Sequence, residues 1–128
     1  MLDKSSKQII CTAFANGRKH DFKLYEESKL SLPEKTTVQL DSGYQGVQKQ
    51  HLQTRLPYKK SKHHPLTDQQ RKDNTRLASS RVLVEHVIRK LKIFKIVSEK
   101  YRNRRKRFAL RMNLIAGFYN YQLLQNDF

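Results

Sequence analysis

The segment Thr36-Thr37-Val38-Gln39-Leu40-Asp41-Ser42-Gly43-Tyr44 constrains the fold more than any other in the chain. Three β-branched residues in a row favour extended backbone, and Val38 and Leu40 share one face of it. The strand they predict ends on a carboxylate and turns at Gly43. In open α/β sheets, ligands bind just beyond the carboxyl ends of strands. Asp41 is therefore placed at such an edge, where it either faces a metal or substrate or caps the turn that follows it.

The 128 residues fit one domain, and the formal net charge is +16. A charge of that size selects for polyanions, of which nucleic acid is the commonest. The longest apolar runs, such as Val82-Leu83-Val84 and Leu114-Ile115-Ala116, are too short to span a bilayer. Met1-Leu2-Asp3-Lys4 leads into polar residues and not into a signal peptide, so the expected location is cytoplasmic. The single cysteine, Cys11, reads as a small core residue on a strand.

Along the chain, Gln8 to Ala15 is a β-rich apolar run stopped by Asn16-Gly17. A short helix is expected from Phe22 to about Lys29, with Asp21 as its amino-terminal cap. Gly46 to Gln53 reads as a second short helix. Arg55 to Lys59 reads as a brief edge strand, because Pro57 cannot donate to a ladder, and Lys59 to Pro65 as an exposed basic loop. Thr67-Asp68-Gln69-Gln70 has the form of a capping box and opens a helix reaching about Phe94. Its expected buried stripe is Leu77, Val84, Val87, Ile88 and Leu91. Ile96 to Asn103 breaks the pattern. A last helix is expected from about Arg105 to Leu124, with Phe108, Met112, Ile115 and Tyr119 on one side and Leu114, Phe118 and Tyr121 widening it. Strands and short helices followed by two long carboxyl-terminal helices define an α/β or α+β domain.

Glu85 is the one acid between Asp73 and Glu99. It borders the expected stripe at Val84, Val87 and Ile88. Two readings stay open: an ion-pair ladder with Arg81 and Arg89, four residues to either side, or an oxygen ligand that joins Asp41 around a hard divalent cation. His86 points a quarter turn away and reads as structural or DNA-facing. His63 and His64 lack zinc-ligand spacing. From Arg89 to Arg111 the chain carries eleven cations, the tightest run being Tyr101 to Arg107, against the single acid Glu99. Like charges in such number fit phosphate contact better than a solubility face. Contacts should go to the DNA backbone, with little base readout.

The ordered set Gly17-Arg18-Lys19-His20-Asp21-Phe22, Asp41-Ser42-Gly43-Tyr44-Gln45-Gly46, Leu56-Pro57-Tyr58-Lys59-Lys60, Arg81 to Ile88, Tyr101-Arg102-Asn103-Arg104 and Asn113-Leu114-Ile115-Ala116-Gly117 resembles the DDE transposases of bacterial insertion sequences, nearest the insertion-sequence-five-like group. The resemblance runs over nearly the whole chain. It implies a ribonuclease-H-like fold in which three acids hold two divalent ions, Mg²⁺ or Mn²⁺, about 4 Å apart. It implies that Asp41 is the second acid and Glu85 the third, and that both are catalytic and metal-holding. Asp21 and His20 become motif residues near the site, without a metal assigned to them. DNA would be held by Arg81, Arg89, Lys92, Arg102, Arg104, Arg105, Lys106 and Arg107.

One feature of the family pattern has no match. The first acid lies on an opening strand upstream of the Gly-x-x-His-Asp motif, and Asp3, in a polar lead-in, does not fit it. The expected fold is thus an incomplete ribonuclease-H-like domain over residues 1–128, a few-stranded sheet followed by two long helices. The expected function is DNA transposition, with the chain a catalytically incomplete fragment or one half of a split enzyme, metal binding weak or absent, and an upstream-encoded amino-terminal chain as a partner. The competing reading is a basic nucleic-acid-binding protein without catalysis. No membrane partner is expected.

Overall fold

The computed structural model describes residues 1–15, 17–99 and 107–126. The chain divides into two compact units, one formed by residues 15–80 and the other by residues 1–14 with residues 81–128.

The 15–80 unit begins with α1 (Asp21–Glu27). Strand β1 (Val38–Gln39) pairs in parallel with β2 (Thr54–Arg55), in the register Val38 to Thr54 and Gln39 to Arg55. The pairing is held by Val38 N–H to Gln53 C=O at 2.8 Å and Leu40 N–H to Arg55 C=O at 3.0 Å. Two single 3₁₀ turns, Ser42–Tyr44 and Val47–Lys49, form the crossover between the strands. The core is small: Val38, the fully buried Val47, and His51. Past β2 the chain has no regular structure until the long helix. Asn74, on the long helix, accepts from Tyr58 N–H at 2.8 Å and donates to its carbonyl at 3.0 Å.

That helix, α2 (Asp68–Leu91), opens with the expected capping box. Gln70 N–H donates to Thr67 Oγ1 at 3.2 Å, and Thr67 N–H donates to Gln70 Oε1 at 3.0 Å. Two of the four orphan amide groups of a helix start are satisfied reciprocally in this way. Ser80, on the same helix, donates to Gln39 Oε1 on β1 at 2.5 Å.

In the other unit, Leu2 and Ile9 form an antiparallel bridge. Asp3 holds the intervening turn. Its Oδ2 accepts from Ser5 Oγ, Ser6 N–H and Ser6 Oγ at 2.6–2.7 Å. Helix α3 (Lys95–Ser98) is a single turn, and α4 (Phe108–Asn126) closes the chain. The buried residues here are Val87, Met112, Ile115, Ala116 and Tyr119. Asn120 binds both backbone groups of Ile9 at 2.8 Å. Thr12 donates to Asn113 at 2.5 Å, and Phe14 meets Phe108 edge-on at 5.5 Å between ring centroids.

Several expectations are corrected. Gln8 to Ala15 is not a strand, since Ile9 alone joins a bridge and its amide and carbonyl are satisfied by a helix side chain instead of a neighbouring strand. Cys11 is half-buried and lies outside any strand. Helix α1 starts at Asp21, and its cap is His20, whose Nδ1 accepts from Phe22 N–H at 3.3 Å. The expected Gly46–Gln53 helix is only the 3₁₀ turn Val47–Lys49, and the expected Arg55–Lys59 strand falls at Thr54–Arg55. α2 ends at Leu91, short of Phe94. Of its expected stripe only Val87 is buried: Leu77 and Leu91 are half-buried, and Val84 and Ile88 are exposed. α4 is described from Phe108, the expected start at Arg105 lies outside the described residues, and Leu114, Phe118 and Tyr121 are exposed and do not widen its buried side. No described helix is long and apolar enough to cross a membrane.

Candidate functional site

The turn after β1 collects the chemistry of the 15–80 unit. Asp41 follows the strand and caps the 3₁₀ turn Ser42–Tyr44: its Oδ1 accepts from Ser42 N–H at 2.6 Å, and its carbonyl accepts from Tyr44 N–H at 3.0 Å. Capping, one of the two readings open from the sequence, is therefore a real duty of this carboxylate. One bond to one oxygen uses only part of a carboxylate's accepting capacity, so the cap alone does not exclude metal or substrate contact.

Helix α1 brings a second carboxylate to the same turn. A side-chain carbon on Gly43 would lie 2.6 Å from Asp21 Oδ2, closer than any real contact. Gly43 thus leaves room for the Asp21 carboxylate where it stands, and its own φ is not in the left-handed region. Gly46 does need the angle: its φ is +113°, and a side chain there would also press on the Phe22 ring at 3.0–3.3 Å. Gln50 donates to Glu26 at 3.0 Å, a further tie between α1 and the crossover. Two glycines, one ring and one amide therefore dock the start of α1 against the segment that follows Asp41.

Tyr44 sits between these acids. Burial first, then the charge of Asp21, then that of Asp41, push its phenol above the ordinary value. All three causes disfavour the phenolate, so the hydroxyl keeps its proton and remains a donor at neutral pH.

His51 fixes the strand that carries Asp41. Its Nε2 lies 2.5 Å from the carbonyl of Thr36, two residues before β1. A carbonyl can only accept, so Nε2 holds the proton. The carbonyl of His51 accepts from Thr54 Oγ1 at 2.6 Å, at the first residue of β2. One buried histidine thereby ties down the start of both parallel strands. Sequence reasoning missed His51, because a lone histidine in a polar segment carries no spacing signal. It also gave Tyr44 no role, although Asp-Ser-Gly-Tyr stood within the motif.

The other predicted residues are distributed as follows. Glu85 is on α2 within the other unit, and it is exposed, as are His86, Arg81, Arg89 and Lys92. The expectation that Glu85 borders a wide buried stripe is therefore corrected to one buried neighbour, Val87. Arg107 is exposed just ahead of α4, and the Lys90 ammonium lies 6.0 Å from the Tyr119 ring. Arg102, Arg104, Arg105 and Lys106 lie outside the described residues. Among the described residues no three His, Cys, Asp or Glu side chains come together as a metal-binding group. Asp21 and Asp41, both hard oxygen donors, are brought to one turn, with His20 next to Asp21 in the chain.

An acid at a strand end, a second acid on its turn and a strongly cationic chain are the features of an enzyme class that works on nucleic-acid phosphodiesters. Comparison with known proteins gives the family. Residues 1–120 match the family of DDE superfamily endonucleases, and the chain belongs to it. It is 46% identical over 123 residues to a protein of Microchaete diplosiphon described as a probable transposase for insertion sequence element IS702, a match covering 96% of this chain. The chain is accordingly similar to transposases of insertion sequences, and it spans 45% of the length of that relative. No solved structure matches the chain significantly.

Proposed function

We propose that this chain serves DNA transposition as part of a ribonuclease-H-like catalytic core, with Asp41 and Glu85 as its metal-holding acids. The observation that carries the reading is the parallel strand β1 delivering Asp41 to a turn against which Asp21 is also packed. A carboxylate pair with a phenol beside it offers hard oxygen donors, which fit Mg²⁺ or Mn²⁺. Asp41, with Glu85 from α2, would hold the cation, and Asp21 and His20 would shape the turn. When bound, the cation supplies charge neutralisation and a deprotonated oxygen nucleophile.

The chain's own residues contribute binding and orientation. Arg81, Arg89, Lys92 and Arg107, with Arg102, Arg104, Arg105 and Lys106, neutralise DNA phosphates and hold the strand. Protonated Tyr44 can donate to a phosphate oxygen or a water at the turn. Asp21 and Asp41 keep the local potential negative, which favours a cation over a bare phosphate. The partner is DNA, and the corresponding location is the cytoplasmic nucleoid. Only two of the three acids of the family pattern have counterparts here, so strand transfer by the 128 residues alone is not expected.

Metal titration tests the site. Mn²⁺ binding by the intact chain should weaken about tenfold or more in Asp41→Asn and in Glu85→Gln, which corresponds to about 1.4 kcal/mol each. Asp21→Asn should weaken it less. The turn-capping duty of Asp41 favours a second reading, a basic nucleic-acid-binding protein without metal chemistry. Under that reading the three variants bind Mn²⁺ no differently from the parent. DNA binding has its own test, since every phosphate left without its neutralising side chain should reduce the salt slope by about 0.9. Arg89→Ala with Lys92→Ala should lower it by about 2, and a slope unaffected by either change would remove that face from the DNA interface.

A further inference from the structure

Helix α4 has two apolar sides, and among the described residues only one of them is covered. Met112, Ile115, Ala116 and Tyr119 are buried. Leu110, Leu114, Phe118, Tyr121 and Leu124 are 52–69% exposed. Their spacings of four, four, three and three residues place them in one stripe roughly 120° wide, opposite the buried four, at 3.6 residues per turn. Arg111 is the one charged residue in the sequence FALRMNLIAGFYNYQLLQN of this helix, in a chain that is 30% charged. A surface helix normally carries charge on its outer side, whereas a helix apolar all round belongs in an interior. Five large apolar side chains in one row also exceed the scattered singles that are normal on a monomer.

Three occupants compete for the stripe. DNA is disfavoured, because the row offers it no cation beyond Arg111 and Arg107 at one end. A second copy is disfavoured by charge, since two chains of +16 repel on approach. The third is more polypeptide of the same kind of enzyme. The chain spans 45% of the length of its IS702 relative, so more than half of that relative has no counterpart in the match. The pair β1–β2 points the same way. Parallel sheets occur buried and with more strands, and a pair with two residues per strand is below what is stable alone.

We infer that the Leu110-Leu114-Phe118-Tyr121-Leu124 face of α4 is a protein interface, and that it receives the part of a transposase polypeptide corresponding to the unmatched portion of the IS702 relative. The inference rests on family membership and is independent of the metal assignment, because no residue of the stripe takes part in Mn²⁺ binding.

The test is thiol labelling of Leu114→Cys and Phe118→Cys, combined with light scattering. In the isolated chain both thiols should react at the rate of a free peptide, and the chain should be monomeric. Adding a separately produced polypeptide that spans the unmatched portion of the IS702 relative should give a one-to-one complex and slow labelling at least about tenfold, the magnitude of a hot-spot contact. Leu114→Glu and Phe118→Glu should abolish the complex while leaving the helical circular dichroism of the free chain unchanged. If the polypeptide is insoluble alone, the same labelling is read with it fused to the chain. Slow labelling in the isolated monomer, where the chain covers its own helix, would overturn the inference. So would dimerisation of the chain through this face, or labelling that the added or fused polypeptide leaves unchanged. Mn²⁺ and DNA binding unaffected by the glutamate variants would separate this result from any failure of the proposed site.

Discussion

The two compact units use the same clamp on different material. In the 15–80 unit, Asn74 binds both backbone groups of Tyr58. In the other, Asn120 does the same for Ile9. In each case one side-chain amide replaces a neighbouring strand, which is how chain segments outside any sheet satisfy their amides. The interiors then diverge. One unit buries two valines and a histidine, and its geometry is set by glycine contacts and hydrogen bonds. The other buries Val87, Met112, Ile115, Ala116 and Tyr119, a conventional apolar helix face. The proposed catalytic turn lies in the unit with the smaller apolar core. Its precision therefore depends on polar and steric details and less on burial.

Core truncation should break the comparison most strongly. Met112→Ala and Ile115→Ala should each cost about 2–5 kcal/mol in urea denaturation, whereas Leu114→Ala on the exposed side should cost under about 0.5 kcal/mol. Equal losses would mean that the two sides of α4 are not differently covered. Next comes Gly43→Ala, which makes the exposed Asp21 carboxylate swing aside and should cost under about 1 kcal/mol. Adding Asp21→Ala should recover most of that loss. A double-mutant cycle with no coupling would contradict the close approach.

The two asparagine clamps should differ in the same direction as their surroundings. Asn120→Ala leaves the half-buried Ile9 amide and carbonyl unpaired, at about 1–3 kcal/mol, while Asn74→Ala releases groups of the exposed Tyr58 to water at a smaller cost. Hydrogen exchange at the amides of residues 9 and 58 reports each directly.

Alkaline pH sharpens the comparison, because each unit has one phenol shifted upward. Burial raises Tyr119, and burial with two nearby carboxylates raises Tyr44. The unfolded phenols ionise near pH 10 and the folded ones higher. Stability from this source is thus complete below about pH 10 and falls as pH rises beyond it. Tyr44→Phe and Tyr119→Phe should each flatten that decline, as followed by phenolate absorbance and denaturation. The smallest effect belongs to Asp3. Hydrogen bonds from Ser6 and Ser5 hold its carboxyl at about 2, below the ordinary 3.8. Its contribution is present above about pH 4 and lost as pH falls through about 2. Asp3→Asn should alter only the acid limb of the stability curve, and slightly, because solvent screens so exposed a group.

What was legible in the sequence was local. The capping box at Thr67 and Gln70 forms with both its bonds because it needs only four consecutive residues. The strand into Asp41 and the two long helices were readable from β-branching and helical period, to within a few residues at their ends. Some misses are local, such as His20 and not Asp21 capping α1, but the larger ones are long-range. The run from Gln8 to Ala15 reads as a strand, but its partner is Asn120, 111 residues away. Gly43 reads as a turn residue, and the side chain it leaves room for is that of Asp21. The rows Leu77-Val84-Ile88 and Leu114-Phe118-Tyr121 read as core because apolar period reports what a helix can bury. It does not report whether a cover is present.

The missing side chain at position 43 also has a consequence for how this enzyme group can change over time. The space it leaves is occupied by the far end of the exposed Asp21 side chain, so a larger residue at position 43 displaces that carboxylate without displacing backbone. Among sequences of this kind, alanine or serine at the first site should turn the acid at the second away from this turn and leave the fold itself intact.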